Sequence, residues 1–163
     1  MAKTTQIKYM QGDETLLDKV RDLWEALNIY HCERSVHFKE HYLGMTFEKR
    51  KAGLLTKTQG GKIHVNYAID LATGQSVGYL ISSVNEEKTG EIESIFVNSN
   101  YRGLGIGDAL MRNALAWMDQ NGAAEKVVEV SVGNEGAWAF YGRYGFLPRK
   151  TLLKQVKKPN PSI

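Results

Sequence analysis

The stretch that decides the fold runs Glu91-Ile92-Glu93-Ser94-Ile95-Phe96-Val97, then Asn98-Ser99-Asn100-Tyr101, then Arg102-Gly103-Leu104-Gly105-Ile106-Gly107-Asp108. Its first seven residues are rich in branched and aromatic side chains and read as a strand. Three glycines on alternate positions then let the backbone approach a ligand closely. A helix beginning at that point aims unpaired amides and the positive end of its dipole at whatever binds. This is a cradle for an anion, and a phosphate or pyrophosphate is its natural guest.

Two familiar glycine-rich loops are excluded by single residues. A dinucleotide fingerprint needs Gly-x-Gly-x-x-Gly, and the sixth position after Gly103 and Gly105 is Asp108. A nucleoside triphosphate loop needs a terminal Gly-Lys-Ser/Thr, whereas Gly107 is followed by Asp108 and Ala109.

Outward from the loop, Ile106, Ala109, Leu110, Ala114, Trp117 and Met118 form one apolar stripe, so a helix follows, with Gly122 as its terminator. Upstream, 4–9 reads as a first strand, and Leu16, Leu17, Val20, Leu23, Trp24 and Leu27 recur at helical spacing behind the cap-like Asp13. A second helix is expected within 28–55, carrying Phe38, Tyr42, Met45 and Phe47, and 56–62 is a turn. Segments 63–69, 76–84 and 91–97 read as three strands of an antiparallel meander. A strand over 126–132, a short helix over 136–144 and a last strand after Phe146 complete the expected set.

The chain resembles the GNAT superfamily of acetyl-CoA-dependent N-acetyltransferases. Arg102, Gly105 and Gly107 match that family's Arg/Gln-x-x-Gly-x-Gly/Ala motif between a strand and a helix. Its second motif is matched by the strand Val128-Glu129-Val130-Ser131-Val132 followed by Asn134, Ala137, Phe140, Tyr141, Gly145 and Phe146. The resemblance covers roughly 76–146. It implies one α/β domain over 1–163, with a mixed, mostly antiparallel sheet, splayed strands and helices on both faces. The tail from 158, with Pro159-Asn160-Pro161, is expected to be loose.

What the resemblance implies for the site follows residue by residue. The backbone of Ile95, Phe96 and Val97 would hold the pantetheine arm of acetyl-CoA like an added strand. The amides of Gly103, Leu104, Gly105, Ile106, Gly107 and Asp108, with Arg102 nearby, would hold its pyrophosphate. Asn134 most resembles the family's cofactor-contacting asparagine; a helix cap is its alternative role, and the two can coexist. Tyr141 matches the general acid, which protonates the departing thiolate; packing among Trp138, Phe140 and Tyr144 is its alternative role. Glu93 matches a glutamate of polyamine-acetylating relatives, and Glu91 one of the protein-lysine-acetylating branch.

Alternate strand residues share a face, so Glu91 and Glu93 are expected to look the same way as Ile95 and Val97, toward an amine acceptor. There they would take its proton directly, steer it through water, or merely attract a cation. The implied activity is acetyl transfer to a primary amine of a small molecule, such as a polyamine or amino acid, by direct attack through a tetrahedral intermediate. Cys32 lies far from both motifs and lacks a nucleophile pattern, so no covalent acyl-enzyme is expected. Three alternatives stay open: a macromolecular amine on a protein or aminoacyl-tRNA, a longer acyl-CoA, and a non-catalytic acetyl-CoA sensor.

Composition agrees. The 163 residues, 42% of them hydrophobic, suit a single domain with a real core. One cysteine excludes an intrachain disulfide, and neither a signal-like run nor a membrane-length apolar segment is present, so a cytoplasmic setting is expected. The net charge of +3 comes from dispersed Lys and Arg, which favours an anionic cofactor over nucleic acid. His31, Cys32, His37 and His41 superficially suggest a metal cluster, but no second cysteine pair or intervening Glu supports one, and no metal is expected. A homodimer is expected, with the last strand as a place for exchange.

Overall fold

The structure, a computed structural model, describes residues 4–156. Five strands form one sheet in the order β1 (Ile7–Gly12), β2 (Lys62–Asp70), β3 (Gln75–Val84), β4 (Thr89–Val97) and β5 (Glu125–Val128). The first four pair antiparallel, and β5 runs parallel to β4. The expected meander and mixed sheet are therefore present, with β1 displaced three residues toward the C-terminus.

Helices cover both faces, which is why β2 and β3 are buried almost continuously instead of alternating. On one face, a 3-10 segment (Glu14–Val20) capped by Asp13 leads into α1 (Arg21–Arg34). Leu17, Val20, Trp24 and Leu27 there pack with Val65, Tyr79 and Ile81 of the sheet. On the other face, α4 (Ile106–Gln120) sets Leu110, Met111, Ala114 and Met118 against Val77, Leu80 and Ile92.

Between α1 and β2 the chain forms two helices where one was expected, α2 (Lys39–Leu43) and α3 (Phe47–Lys57). Gly44 closes the first, and the Thr46 hydroxyl accepts a bond from the Lys49 amide at 3.2 Å to start the second. Helix α3 runs on to Lys57, which shortens the expected turn and carries that lysine to the sheet.

Two expectations fail downstream. β5 ends at Val128, not Val132, because its partner β4 diverges there. No strand follows Phe146 among the described residues. Pro148 lacks a ladder donor, and the adjacent Leu152 and Leu153 would point to opposite faces with no second layer to bury them; Leu147, Leu152 and Leu153 are exposed. The 158–163 tail lies outside the described residues. A short helix α5 (Ala137–Gly142) lies within the expected 136–144 span.

One irregularity positions the site. Ile81 of β3 pairs with Ser94 and Ser82 with Ile92, so Glu93 is an extra residue bulged out of β4. The bulge reverses the alternation beyond it. Glu91 and Glu93 face α3, whereas Ile95 and Val97 turn to the α4 face and pack in its core. The expectation that all four residues share one face is thereby corrected.

Candidate active site

The parallel ladder of β4 and β5 ends at Ile92 and Val128. Beyond it, no strand among the described residues pairs with the outer edge of Ser94–Val97. A cleft of about 370 Å³ opens there, walled by Ile95, Val130, Ser131, Asn134 and Tyr141, with α1, α2 and α3 on its far side. Parallel strands that part company leave amides and carbonyls facing a gap, and an extended ligand can occupy that gap as a further strand. Part of that edge is already engaged: Arg102 Nε donates to the Val97 carbonyl at 3.1 Å, and Arg50 to the Glu93 carbonyl at 3.0 Å.

The glycine loop follows the end of β4, and a Cβ at Gly107 would lie 4.0 Å from Val97 of that strand. Gly103 and Gly105 have φ of 78° and 77°, the left-handed region in which a Cβ is strained. Gly105 is also the residue from which α4 starts. The amides of Gly103 to Asp108 have no hydrogen-bond partner among the described residues, and the space beside Gly103 and Gly105 is open to 4 Å. A row of unpaired amides at a helix N-terminus fits a pyrophosphate.

The residues around the loop anchor it. Ile106 is buried, and a Cβ at Gly107 would sit 3.3 Å from Phe140 of α5. The Asp108 carboxylate accepts from Tyr144 at 2.5 Å and from Arg112 at 2.8 Å, bonds that hold its pKa down and tie α4 to the end of α5. The Arg102 guanidinium lies 5.8 Å from the Phe96 ring.

Tyr141 projects from α5 into the cleft and is 8% exposed. Its ring packs edge-on against Phe140 and Phe146, yet its hydroxyl has no hydrogen-bond partner among the described residues. Burial pushes its pKa up to about 12, so the phenol stays neutral throughout the physiological range. Asn134 caps α5 only through its backbone, by accepting the Ala137 amide; its side-chain oxygen accepts from the Tyr30 hydroxyl at 3.3 Å, linking α1 to the cleft wall.

The two carboxylates lie together, but neither is free. Glu93 has a side chain only 1% exposed, accepting from Ser83 Oγ at 2.7 Å and Lys57 Nζ at 2.9 Å, with Arg50 at 3.5 Å. Glu91 lies 2.6 Å from the same lysine. Burial raises the Glu91 pKa, and the bond from Lys57 opposes that rise. Lys57, Arg50 and Ser83 escape sequence reasoning because nothing local marks them. The signal available was indirect: two glutamates on one buried face need cations from elsewhere. His31 and His41 also line the cleft, whereas His37 does not. Among the described residues, no group of three or more His, Cys, Asp or Glu is arranged to hold a metal.

A sheet splayed between two parallel strands, with an amide cradle between β4 and α4 and a tyrosine in the gap, is the scaffold of an N-acetyltransferase. Residues 23–146, well over half of the chain, match the acetyltransferase (GNAT) family, and the chain belongs to that family. It is 35% identical over 96 residues to an uncharacterised N-acetyltransferase of Methanocaldococcus jannaschii, covering 52% of this chain and 42% of that one. It is 35% identical over 82 residues to the N-alpha-acetyltransferase MAK3 of Arabidopsis thaliana, covering 48% and 43%. The chain thus spans about two fifths of the length of these curated relatives. The crystal structure of a GCN5-related N-acetyltransferase from Ralstonia eutropha superposes with a TM-score of 0.72 at 20% identity, over 94% of this chain and 100% of that one, a likeness of fold.

Proposed function

We propose that the protein is an acetyl-CoA-dependent N-acetyltransferase acting on a primary amine of a small molecule. The observation that carries this reading is the Tyr141 hydroxyl, without a hydrogen-bond partner among the described residues, in the gap where β4 and β5 separate, together with the unpaired Gly103–Asp108 amides that follow β4. In this reading the edge of Ile95 to Val97 aligns the pantetheine arm, the loop amides and Arg102 hold the pyrophosphate, and Asn134 steadies the bound cofactor from the opposite wall. When bound, acetyl-CoA supplies the activated acetyl group.

Tyr141 stabilises the departing thiolate. A phenol of pKa about 12 lies about 3.5 units above a thiol, so free transfer of its proton is uphill by about 5 kcal/mol. It therefore acts first as a hydrogen-bond donor to the sulfur. The proton follows as the amine nitrogen gives up its own. Glu91 and Glu93 stand on the acceptor side paired with Lys57 and Arg50, so that an incoming ammonium competes with Lys57 for Glu91 and the pair orders the route by which its proton leaves. No metal and no acyl-enzyme has a part in the scheme.

The test is release of free CoA thiol from acetyl-CoA across polyamines, amino acids, aminoglycosides, short peptides and charged tRNA. Turnover confined to small amines is the expected result; binding of acetyl-CoA without turnover on any of them would favour a sensor. A second reading, acetylation of a polypeptide N-terminus, is favoured by the N-alpha-acetyltransferase relative and predicts turnover on the peptides instead. The proposal also includes a cytoplasmic setting, for which the single cysteine speaks, and a homodimer, supported by the exposed Leu147, Leu152 and Leu153. Equilibrium sedimentation that finds only monomer at working concentration would overturn the dimer.

A further inference from the structure

We infer that the imidazole of His31, near the end of α1, takes the proton of the acceptor amine. The inference rests on the acetyl transfer proposed above and names the group that completes it.

The carboxylates are poorly placed for the task. The Glu93 carboxylate is already engaged, by the bonds from Lys57 and Ser83 and the ion pair with Arg50, in a pocket where its side chain is 1% exposed. Glu91 is tied to the same lysine. His31 lines the same cleft as Tyr141, from the opposite helical layer. Its ring packs edge-on against Tyr30 at 5.8 Å and beside Tyr42 at 5.8 Å. Neither ring nitrogen has a hydrogen-bond partner among the described residues, so a neutral imidazole there presents an unused acceptor nitrogen to an incoming amine.

The charged and titratable groups around the cleft come from every element that walls it. Arg34 and Tyr30 belong to the same helix as His31, His41 and Tyr42 to α2, and Arg50 and Lys57 to α3; Glu91 and Glu93 project from β4, and Glu129 follows β5. Burial, and then the positive charge of Arg34, lowers the His31 pKa from the ordinary histidine value, which keeps the ring unprotonated at neutral pH.

The protons balance as follows. The acceptor ammonium gives one proton to His31, which later releases it to solvent. The nitrogen–carbon bond to the acetyl group forms while the carbon–sulfur bond breaks. The second nitrogen proton replaces the one that Tyr141 donates to sulfur. The net change is one amide, one thiol and one proton released.

The test is the pH dependence of kcat/KM for the full chain and for His31→Gln, with acetyl-CoA affinity measured by calorimetry and a melting curve as control for folding. In the unmodified protein, activity should rise with pH along an acid limb whose midpoint lies below about 6.5. His31→Gln should lose about 100-fold at neutral pH and lose that limb, keep its acetyl-CoA affinity, and recover in part on adding imidazole. A limb that survives in His31→Gln, or a loss that imidazole does not relieve, overturns the inference. His31→Asn serves if the first variant melts early. Independently of any variant, the NMR titration midpoint of the His31 ring must coincide with the kinetic midpoint, and a mismatch also overturns it. Failure to acetylate any amine would sink the parent reading itself, whereas transfer with an unchanged limb sinks only this inference.

Discussion

The two halves of the cleft are built from different materials. The donor half is backbone: a strand edge that no strand among the described residues pairs with, and six consecutive amides on a loop bent by two glycines at positive φ. The acceptor half is side chains that converge from α1, α2, α3, β4 and the segment after β5, and its charges compensate one another before any ligand arrives. Backbone groups cannot be exchanged by substitution and suit a ligand that never varies. A wall of side chains can be changed one residue at a time, so the acceptor can differ between proteins that share the donor half.

This contrast predicts that damage to the donor half abolishes activity through binding. Gly105→Val puts a β-branched residue at φ of 77° and fills the open side of the cradle. Acetyl-CoA affinity should fall by more than about 100-fold, since several amide contacts are lost together; calorimetric affinity within about threefold of the unmodified protein would break the comparison.

At the junction of the halves, Tyr141→Phe should lower kcat by about 100-fold while acetyl-CoA affinity stays the same, because the hydroxyl acts only as the thiolate departs. Steady-state rates beside calorimetry check this, and equal turnover would return Tyr141 to a packing role.

On the acceptor side the effects should be on stability and selectivity. Lys57→Met leaves Glu93 buried with Ser83 and Arg50 alone, and denaturant unfolding at neutral pH should register a loss of about 2 kcal/mol. Lys57 is 47% exposed, and its loss should also improve the KM for cationic amines by freeing Glu91. An unchanged KM would mean that Glu91 does not meet the acceptor.

The smallest effect concerns Glu91. Its folded-state pKa is raised by burial, so its protonated form favours the folded state. That stabilisation is fully present below the unfolded carboxyl pKa and is lost as pH rises through the folded value. Glu91→Gln, a neutral isostere, should therefore be slightly more stable than the native chain at pH 7, by less than about 1 kcal/mol. The gap should close at a pH where the native carboxyl is protonated. Melting curves at pH 7 and pH 3 that show the reverse order would contradict the burial argument.

How much was legible beforehand follows the same division. Strand β4, the loop and α4 are local patterns, with apolar runs, glycines and a helical stripe within one continuous segment, and all three form where the residues imply. The bulge at Glu93 was not legible, because a bulged and a regular strand can carry the same side chains and only the pairing with Ser82 and Ile81 distinguishes them. The break between α2 and α3 rests on Thr46, a cap signal that stands out only once Gly44 is seen to end the preceding helix. Lys57 meets Glu91 and Glu93 across separations of 34 and 36 residues, contacts that periodicity does not encode. The absence of a strand after Phe146 among the described residues shows the converse: a local pattern forms no strand without a second layer to cover it.

The most direct test of the central claim, direct transfer between a backbone-held donor and an amine in the same cleft, is a rapid-quench experiment with acetyl-CoA and the best amine from the panel. Acetylated amine and free CoA should appear together in equal amounts, with no acetyl group on the protein at any time. Acetyl-enzyme that forms first and decays into product, on Cys32 or elsewhere, would contradict it, as would CoA release without acetylated amine.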